Sequence, residues 1–467
     1  MFAIFDSFND ATKTLMQSLK TADIDYLPLF VHDNGDLPKG AMSPFSYYAS
    51  SHSSYCSDKN NTGDLITQGK DSAKGQDFDP FRLGRKELFF NQVPVPDNYE
   101  IRQEDMPFGE ILHDGFVAGR INYRPDSFRR VKSVDWLDRA GQITHSDCYD
   151  SHGRHYASMY YHGTKAYQKV YYSYSDEKRE VIVQDLLAGH IFLEFEDKRF
   201  FFDSLTNFFL HFLEELDMPK DRLIINSLSF PLFIARRFCE EPSAVLFWQE
   251  QMGDKVPGNL EEELLRQKSL KDIVLCDQKQ IDQITQDYPE TKLKLHYLSA
   301  IGQFASHEDF EQNRCFTLTA SDQIPGLEQL LSKFPQTTFV VAALTQMSQK
   351  LHSLGDIYPN LELLPVVARA EITTQLNKAS VYLDINDGGQ VLGIVKDAYL
   401  SGLLVLGVSN QAKTKDFSLN YDSIYQLEDM LLKALSDDAE RAQLLKKLHE
   451  KQGPLSSVHD YQVLLKQ

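Results

Sequence analysis

The sequence predicts an α/β protein with two Rossmann-like domains and an antiparallel β-meander domain inserted into the first of them. Three observations support this fold class. Short apolar runs alternate with amphipathic stretches in the last third of the chain, and a similar alternation covers residues 200–310. Closely spaced turn signals between these regions indicate hairpins. At 467 residues the chain is too long for one hydrophobic core and should form two or three domains.

The C-terminal Rossmann-like domain is assigned to residues 311–437. Its predicted strands are RCFTLTA, TTFVVAAL, NLELLPVV, SVYLDIN and LLVLGV, all between residues 314 and 408. Helical spacing separates them, for example from Leu327 to Phe334 and from Val391 to Tyr399. Nearly continuous apolar strands separated by helices predict a parallel sheet covered on both faces. Residues 438–467 are expected to form a closing helix, because 438–451 are rich in Lys, Leu and Glu.

The N-terminal Rossmann-like domain is assigned to residues 1–75 and 203–310. Apolar residues recur at three- and four-residue steps from Leu205 to Leu216, which predicts an amphipathic helix. The strand candidates LIINS, AVLFW, DIVLC and KLKLHYL follow it, and a helix over 11–22 and the strand DYLPLFV precede it. Residues 51–75 are polar and rich in Gly and Ser, which predicts a loop.

The inserted domain is assigned to residues 76–202. Pairs such as Asp114-Gly115, Ala140-Gly141 and His162-Gly163 separate short aromatic runs, and they predict a meander of six or seven strands over residues 111–202. Residues 116–202 contain 13 Lys and Arg against 12 Asp and Glu, so the remainder of the chain carries a net charge of −20. This segment is therefore the least acidic part of the protein.

Composition excludes several classes of function. The net charge of −19 opposes binding to nucleic acid, which requires a basic surface. The five cysteines are scattered and form no CxxC pair, so neither a disulfide framework nor a zinc site is expected. Acidic residues near the N-terminus and the absence of a long apolar run argue against a signal peptide and a membrane span. A cytoplasmic protein is expected, with peripheral contact at the cytoplasmic face of the membrane as a further possibility.

Residues 384–408, DINDGGQVLGIVKDAYLSGLLVLGV, decide the catalytic question. They resemble a signature of retaining GT-B glycosyltransferases, in which two Glu residues separated by seven positions hold the donor sugar and its ribose. In that register the second Glu falls at Asp397, whereas the first falls at Gly389, which has no side chain. The resemblance therefore implies a GT-B-like fold with a defective donor site.

The turn after the first strand of the same domain is equally unsuited to a nucleotide sugar. GT-B enzymes of this class place an Arg and a Lys there to neutralise the diphosphate as charge develops on the leaving group. Here residues 320–325 contain no cation, Ser321 occupies the turn, and Asp322 would repel a phosphate. Loss of the carboxylate and both cations predicts a pseudo-enzyme with no catalytic residue, cofactor or metal.

The opening residues IFDSFNDATKTLMQSLKTADIDYLPLFVHDNGDLPKGAMSPFSYYA resemble the start of a known family. This family comprises the stabilising subunits of bacterial O-GlcNAc transferase complexes, which glycosylate serine-rich-repeat adhesins before export by the accessory Sec pathway. The resemblance extends over nearly the whole chain. It implies a non-catalytic subunit that pairs with a catalytic glycosyltransferase as a 2+2 heterotetramer and helps it engage the unfolded Ser/Thr-rich acceptor.

Two alternative functions remain open at this point. One is an active retaining glycosyltransferase of the wall-teichoic-acid type, which can carry a similar β-insert. The other is a structural scaffold of the export machinery. Gly389 and the cation-free turn favour the stabilising subunit over the active enzyme, and the scaffold is the weaker third interpretation.

Several motifs have a structural and a functional interpretation. Asn386 or Asp387 is expected to cap a helix, in preference to a vestigial sugar or metal site formed with Asp384. The histidines His145, His152, His155 and His162 flank hairpin turns without metal-ligand spacing. Residues 230–238, FPLFIARRF, are expected to form a buried turn and helix rather than a membrane contact.

The β-meander is the expected contact surface for the partner, the acceptor, or both. Its tyrosines suit a stacking platform, although aromatic residues also favour strands for structural reasons alone. The expected solvent-facing contact residues are Tyr123, Arg124, Arg129, Arg130, Tyr160 and Tyr172. Strand alternation also predicts that several of these six residues belong to the core.

Overall fold

The computed structural model describes residues 1–50, 87–103, 108–124, 129–220, 222–250, 252–253, 255–301, 311–414, 417–452 and 456–466. The chain divides into two compact units. The first comprises Met1–Met16 and Ile24–Tyr297, and the second comprises Gln17–Asp23 and Leu298–Gln467. The loop expected over residues 51–75 lies outside the described residues.

The first unit begins with β1 (Phe2–Phe5), α1 (Asp10–Thr21), β2 (Leu27–Phe30) and α2 (Pro44–Ser50). An antiparallel sheet follows, with strands β3 (Tyr99–Arg102), β4 (Phe108–His113), β5 (Phe116–Tyr123), β6 (Val131–Leu137), β7 (Ile143–Tyr149), β8 (His155–His162), β9 (Lys165–Tyr172), β10 (Glu180–Asp185), β11 (Ile191–Phe195) and β12 (Lys198–Phe202). The unit ends with α3 (Leu205–Glu215), β13 (Leu223–Ile225), α4 (Phe230–Phe238), β14 (Ala244–Phe247), α5 (Gly258–Arg266), β15 (Leu270–Leu275), α6 (Gln278–Asp287) and β16 (Lys294–Tyr297).

The Rossmann-like part of this unit is a parallel sheet in the order β16-β15-β14-β13-β1-β2. Its central strands are buried on both faces, as the continuous apolar runs predicted. The helix predicted over 205–216 is confirmed as α3, and the Ser204 hydroxyl caps it by accepting from the Asn207 N–H. Residues 230–238 are confirmed as the helix α4, which buries most of its apolar side chains.

In the part of the chain that the structure describes, the antiparallel sheet contains ten strands in simple sequence order, from β12 at one edge to β3 at the other. The expectation of six or seven strands beginning at residue 111 was therefore wrong. The β11–β12 hairpin shows why, because it turns at Glu196-Asp197, where both residues have positive φ and neither is Gly or Asn. Such a turn carries no sequence signal, and β3 has the weak alternation of a half-buried strand.

The two sheets of the first unit share one hydrophobic core. Phe45 of α2 stacks on Tyr171 of β9 with ring centroids 4.4 Å apart, and it also packs on Phe208 of α3. Ile182 and Leu193, from β10 and β11, join the same cluster. The inner face of the antiparallel sheet is consequently part of the N-terminal core.

The second unit contains β17 (Arg314–Thr319), α7 (Leu327–Lys333), β18 (Thr338–Ala343), α8 (Gln349–Ile357), β19 (Leu361–Leu364), α9 (Arg369–Lys378), β20 (Val381–Asp384), α10 (Ile394–Leu400), β21 (Leu404–Val408), β22 (Leu419–Tyr421), α11 (Ile424–Ser436), α12 (Asp438–Gln452) and α13 (Val458–Leu465). Its strands form a parallel sheet in the order β19-β18-β17-β20-β21-β22. All five strands predicted from the sequence are present.

The C-terminal tail forms two helices. α12 confirms the helix predicted from residue 438, and its Leu448 is buried in the core of the second unit. α13 begins with a capping box between Ser457 and Asp460. The Tyr461 hydroxyl donates to the Ser299 carbonyl at 2.9 Å, which fixes this helix within the same unit. Among the residues described, no helix combines the length and apolar character needed to cross a membrane.

Candidate functional site

The degenerate donor site predicted from the sequence lies where the strand order of the second unit reverses. β17 and β20 are neighbours there, while the chain proceeds from β17 to β18 in one direction and from β20 to β21 in the other. In open parallel sheets, ligands bind in the crevice outside the carboxyl ends of the two strands at such a switch point. The loops that follow Thr319 and Asp384 therefore form the walls of any donor site.

These two loops are joined to each other across the crevice. The Asp387 N–H donates to the Gln323 carbonyl at 2.8 Å. Gly388 has a φ of +107°, and a Cβ at this position would lie 3.2 Å from the Ser321 Cβ. The backbone can approach so closely only because residue 388 is Gly. The two loops at the carboxyl ends of β17 and β20 are thus in direct contact.

A buried ion pair holds the second loop in place. The Lys413 ammonium lies 3.7 Å from Asp384 Oδ1 and donates to the carbonyls of Asn386 and Gln411, the latter at 2.6 Å. The Lys413 backbone N–H also donates to Asp384 Oδ2 at 2.6 Å. The two side chains are 9% and 1% exposed. Burial raises the pKa of Asp384, and Lys413 offsets this effect only in part.

The structure agrees with some of the predictions made for residues around the crevice and contradicts one of them. Gly389 is exposed, with open space where a Cβ would project, and Asp397 lies in the first turn of α10. The expected helix cap at Asn386 or Asp387 was wrong, because α10 starts only at Ile394 and has Gly393 at its N-cap.

The turn after β17 also differs from its expected role. Asp322 Oδ2 accepts the Ser348 N–H at 3.0 Å, at the N-cap position of α8, so this carboxylate has a structural partner. Two cations that sequence reasoning missed lie at this edge of the sheet. Lys413 follows β21, and Lys350 of α8 donates to the Gln323 side chain at 3.1 Å. The GT-B signature places its cations directly after the first strand of the domain, and neither Lys413 nor Lys350 lies there. Their positions in the sequence therefore did not indicate that they would lie near the crevice.

Two of the six contact candidates in the meander are buried, which corrects their expected solvent-facing role. Arg124 is 7% exposed, where its guanidinium pairs with Asp36 and donates to the Tyr149 carbonyl at 2.8 Å. Tyr172 is 8% exposed and packs on His155. Arg124 lies just beyond β5, where a bulge has already broken strand alternation, and it ties the 32–43 loop to the antiparallel sheet.

The remaining four candidates are accessible. Arg129 is exposed and lies over the Phe90 ring, whereas Tyr123, Arg130 and Tyr160 are half-buried. Arg130 pairs with Glu87. The accessible candidates thus lie on β5, β8 and the segment leading into β6.

Tyr160 belongs to a row of stacked rings that the sequence did not reveal. Trp136, His145 and Tyr160 are cross-strand neighbours on β6, β7 and β8. The Trp136 and His145 rings are 6.2 Å apart at 19°, and the His145 and Tyr160 rings are 5.8 Å apart at 22°. All three are half-buried, so this aromatic row offers a rigid surface with one open side.

A hydrogen-bond network fixes the orientation of Trp136, at one end of the aromatic row. Asp147 accepts the Trp136 indole N–H at 2.8 Å and the Ser158 hydroxyl at 2.7 Å, and His155 Nε2 lies 3.2 Å from the same carboxylate. Burial alone would raise the pKa of Asp147, but the hydrogen bonds and charge of His155, with the two other donors, lower it to about 2. His155 therefore has a structural partner, and the described residues contain no group of three potential metal ligands.

Comparison with protein families finds matches along most of the chain. The GtfB N-terminal domain matches residues 2–48, the GtfB middle domain residues 99–203, the GtfB third domain residues 193–286, and the GftB/GlyA-F C-terminal domain residues 315–452. The middle-domain match coincides with the ten-stranded sheet from Tyr99 to Phe202.

Relatives along the whole chain share one description, UDP-N-acetylglucosamine–peptide N-acetylglucosaminyltransferase stabilizing protein GtfB. The protein of Streptococcus gordonii is 33% identical over 421 residues, which cover 87% of this chain and 84% of that protein. The protein of Limosilactobacillus reuteri is 26% identical over 478 residues, with 100% and 99% coverage.

Solved structures confirm the GT-B-like fold. A chain in the crystal structure of a GtfA/B complex bound to UDP and GlcNAc superposes with a TM-score of 0.81 at 29% identity, covering 100% of this chain and 99% of that chain. A chain in the structure of accessory secretory proteins 1, 2 and 3 of Streptococcus pneumoniae has a TM-score of 0.64 at 12% identity over 100% of this chain and 94% of that chain. The second likeness concerns the fold alone.

Proposed function

Because this chain belongs to the GtfB family of glycosyltransferase-stabilizing proteins, we propose that it is the non-catalytic subunit of a protein O-GlcNAc transferase. In this role it stabilises a catalytic glycosyltransferase subunit in a 2+2 heterotetramer and contributes to acceptor binding. The acceptor is an unfolded Ser/Thr-rich adhesin, glycosylated in the cytoplasm at or near the membrane surface before export. The names of the relatives support the stabilising role.

One observation carries the non-catalytic part of this proposal. The backbone hydrogen bond between Asp387 and Gln323 ties together the two loops that border the crevice in which a Rossmann-like domain holds its nucleotide ligand. Gly389 supplies no carboxylate to a sugar, and the buried cation Lys413 is paired with Asp384. A nucleotide sugar would meet Asp322 at this edge, and neither loop offers it the Arg and Lys that the signature places after the first strand.

The aromatic row and the four solvent-accessible contact candidates of the meander support the proposed role in binding the partner or the acceptor. Residues 116–202 have a net charge of +1, whereas the rest of the chain is strongly acidic, so an acidic or neutral partner meets less repulsion there. Rigid aromatic side chains give contact area with little loss of conformational entropy. Trp136, His145 and Tyr160 are therefore assigned to the surface that contacts the partner or the acceptor.

The test is co-expression with the catalytic subunit, followed by gel filtration with light scattering. The proposal expects one complex with the mass of two copies of each subunit, and a partner that aggregates or loses activity without this chain. Two separate monomer peaks would contradict the stabilising role. Calorimetric titration of the isolated chain with UDP-GlcNAc separates this function from that of an active glycosyltransferase, for which a low-micromolar dissociation constant is expected.

The proposed binding surface must be tested by point substitutions, because deletion of the antiparallel sheet would disrupt the rest of the first unit. Its Tyr171 is the stacking partner of Phe45 in the N-terminal core, so deletion of the sheet would expose that core. Tyr160→Ala and His145→Ala should weaken acceptor glycosylation by the complex while unfolding remains unchanged. Tyr167→Ala, on the neighbouring strand β9 and outside the aromatic row, is the matched control.

A further inference from the structure

The last strand of the antiparallel sheet, β12, lies at one edge of the sheet, and among the residues described it pairs only with β11. An edge strand presents unpaired backbone N–H and C=O groups to any extended chain that approaches it. Proteins usually protect such strands with charged side chains, a proline, a β-bulge or a covering segment. The opposite edge strand, β3, follows this rule, because its two exposed residues, Glu100 and Arg102, are charged.

The second half of β12 lacks this protection. Its sequence is KRFFF, so both charges stand at the start of the strand and three phenylalanines follow them. The register between β11 and β12 is continuous, without a bulge. Phe201 is 56% exposed and contacts Phe192 of β11, which is 50% exposed, with ring centroids 5.1 Å apart. Two large apolar side chains thus face solvent beside an open backbone edge, a combination that is typical of an interface.

The turn between β11 and β12 determines which backbone groups face the open edge. Glu196-Asp197 is a two-residue turn between the paired residues Phe195 and Lys198. In such a hairpin the pair next to the turn exchanges both backbone hydrogen bonds, and hydrogen-bonded pairs then alternate with unbonded ones. The backbone groups of Arg199 and Phe201 therefore point away from β11, towards the open edge.

This edge is complementary to a second copy of itself. If two β12 strands run antiparallel about a two-fold axis at Phe201, the two Phe201 residues lie opposite each other and exchange two backbone hydrogen bonds. Arg199 of each copy then lies opposite Asp203 of the other, on the same face of the sheet. Both side chains are exposed, and Glu194 of β11, 3.3 Å from the Arg199 guanidinium, holds it on that face. The pairing therefore places opposite charges together at both of its ends.

We propose that two copies of this chain associate through their β12 edges, so that the two antiparallel sheets join into one continuous sheet. This inference rests on the proposed 2+2 assembly and identifies the contact that relates its two halves. A two-fold contact uses the same residues on both copies and closes after two of them. The exposed rings of Phe192 and Phe201 from both copies cover one another in this arrangement. An acceptor that visits the edge only in passing would leave these rings exposed between encounters.

Sedimentation velocity and light scattering of the isolated full chain test this contact. The wild type should form dimers with a dissociation constant in the micromolar range. Phe201→Lys removes the central apolar contact and places two like charges opposite each other, so it should weaken self-association about thirtyfold or more. Phe116→Lys is the matched control, because Phe116 is 71% exposed on β5 of the same sheet, away from the β12 edge. This control should dimerise as the wild type does.

Exchange of the charges at the ends of the contact tests how the two strands align. Arg199→Glu should weaken dimerisation about tenfold, because two attractive pairs in each dimer become repulsive. Asp203→Arg should have the same effect, and the double substitution should restore most of the wild-type affinity. Melts followed by tryptophan fluorescence show that each variant is folded. A double variant that associates as weakly as the single variants would overturn this pairing.

Three outcomes for the main test would overturn the inference. One is a wild-type chain that stays monomeric at every concentration measured. Another is a Phe201→Lys variant that dimerises as tightly as the wild type. The third is a Phe201→Lys variant that loses binding of a fluorescein-labelled Ser/Thr-rich peptide while its dimerisation is unchanged, since this result assigns the edge to the acceptor instead.

Failure of this contact is distinguishable from failure of the proposed function. When Phe201→Lys is co-expressed with the catalytic subunit, the complex should have the mass of one copy of each subunit, where the wild type gives two of each. A variant that still forms the 2+2 complex refutes only the edge contact. A wild-type chain that dimerises but does not bind the catalytic subunit refutes only the stabilising role.

Discussion

Lys413→Met should destabilise the second unit by about 3–4 kcal/mol at pH 7. The substitution removes the cation beside Asp384 while keeping a side chain of similar length. Breaking a buried ion pair on one side typically costs about 3–5 kcal/mol, because the remaining charge is uncompensated. Asp384 is 1% exposed, and the variant loses the ammonium but keeps the Lys413 backbone N–H bonded to Oδ2, so the expected loss lies in the lower part of that range.

Protonation of Asp384 limits this loss and makes it depend on pH. A carboxyl group with an ordinary pKa of 3.8 is ionised at pH 7, and protonating it there costs about 4 kcal/mol. This cost falls by about 1.4 kcal/mol for each unit by which the pH is lowered from 7. Burial raises the pKa of Asp384 in the folded protein, so the folded variant can carry a neutral, protonated Asp384 at low pH. This relief of the buried charge is lost as the pH rises. The destabilisation should therefore shrink to about 2 kcal/mol at pH 5.

Hydrogen exchange followed by mass spectrometry is the appropriate assay for this variant. Amides of β20 and β21 should exchange several hundredfold faster in Lys413→Met at pH 7, because each 1.4 kcal/mol corresponds to about a tenfold change. Both tryptophans, Trp136 and Trp248, lie in the first unit, so an unchanged fluorescence melt confirms that this unit is intact. The double substitution Asp384→Asn with Lys413→Met removes both charges and should recover most of the protection. Equal exchange in the wild type and Lys413→Met would refute the role assigned to this ion pair.

Three further outcomes are expected. Arg124→Ala should lower the stability of the first unit by about 2 kcal/mol in a tryptophan-fluorescence melt, whereas the exposed Arg129→Ala should cost less than about 0.5 kcal/mol; equal effects would contradict the anchoring of the 32–43 loop. Asp147→Asn should cost about 2 kcal/mol at pH 7, because a folded-state pKa of about 2 stabilises the protein above pH 4. This difference should disappear as pH falls from 4 towards 2, and a difference independent of pH would refute the network around Asp147. Calorimetry with UDP-GlcNAc should detect no binding to the isolated chain, and a low-micromolar dissociation constant would contradict the loss of the donor site inferred from Gly389 and residues 320–325.

The sequence predicted the elements that depend on apolar periodicity. The five strands from residue 314 to 408 and the helix from Leu205 were found where continuous apolar runs and helical spacing placed them. The family was also predicted correctly, on the resemblance of the opening residues, and the relative of Streptococcus gordonii confirms it. These features are local in sequence, so one stretch of residues carries the whole signal.

Features that depend on contacts between distant residues could not be predicted. Arg124 pairs with Asp36, and Lys413 pairs with Asp384, and in neither case does the spacing indicate the partner. The aromatic row requires the register of three strands, which a bulge or an unusual turn can shift by one residue. The cap expected at Asn386 failed for a similar reason, because the length of the loop before Gly393 was not evident from residue types.

Dependence of the catalytic subunit on this chain tests the central claim most directly. The catalytic subunit is purified alone and as the co-expressed pair, and transfer of radiolabelled N-acetylglucosamine from UDP-GlcNAc to a Ser/Thr-rich acceptor is measured at equal catalytic-subunit concentration. The pair should form one complex and glycosylate the acceptor, while the catalytic subunit alone aggregates or transfers little sugar. Equal transfer by the catalytic subunit alone, or transfer by this chain without its partner, would contradict a non-catalytic stabilising role.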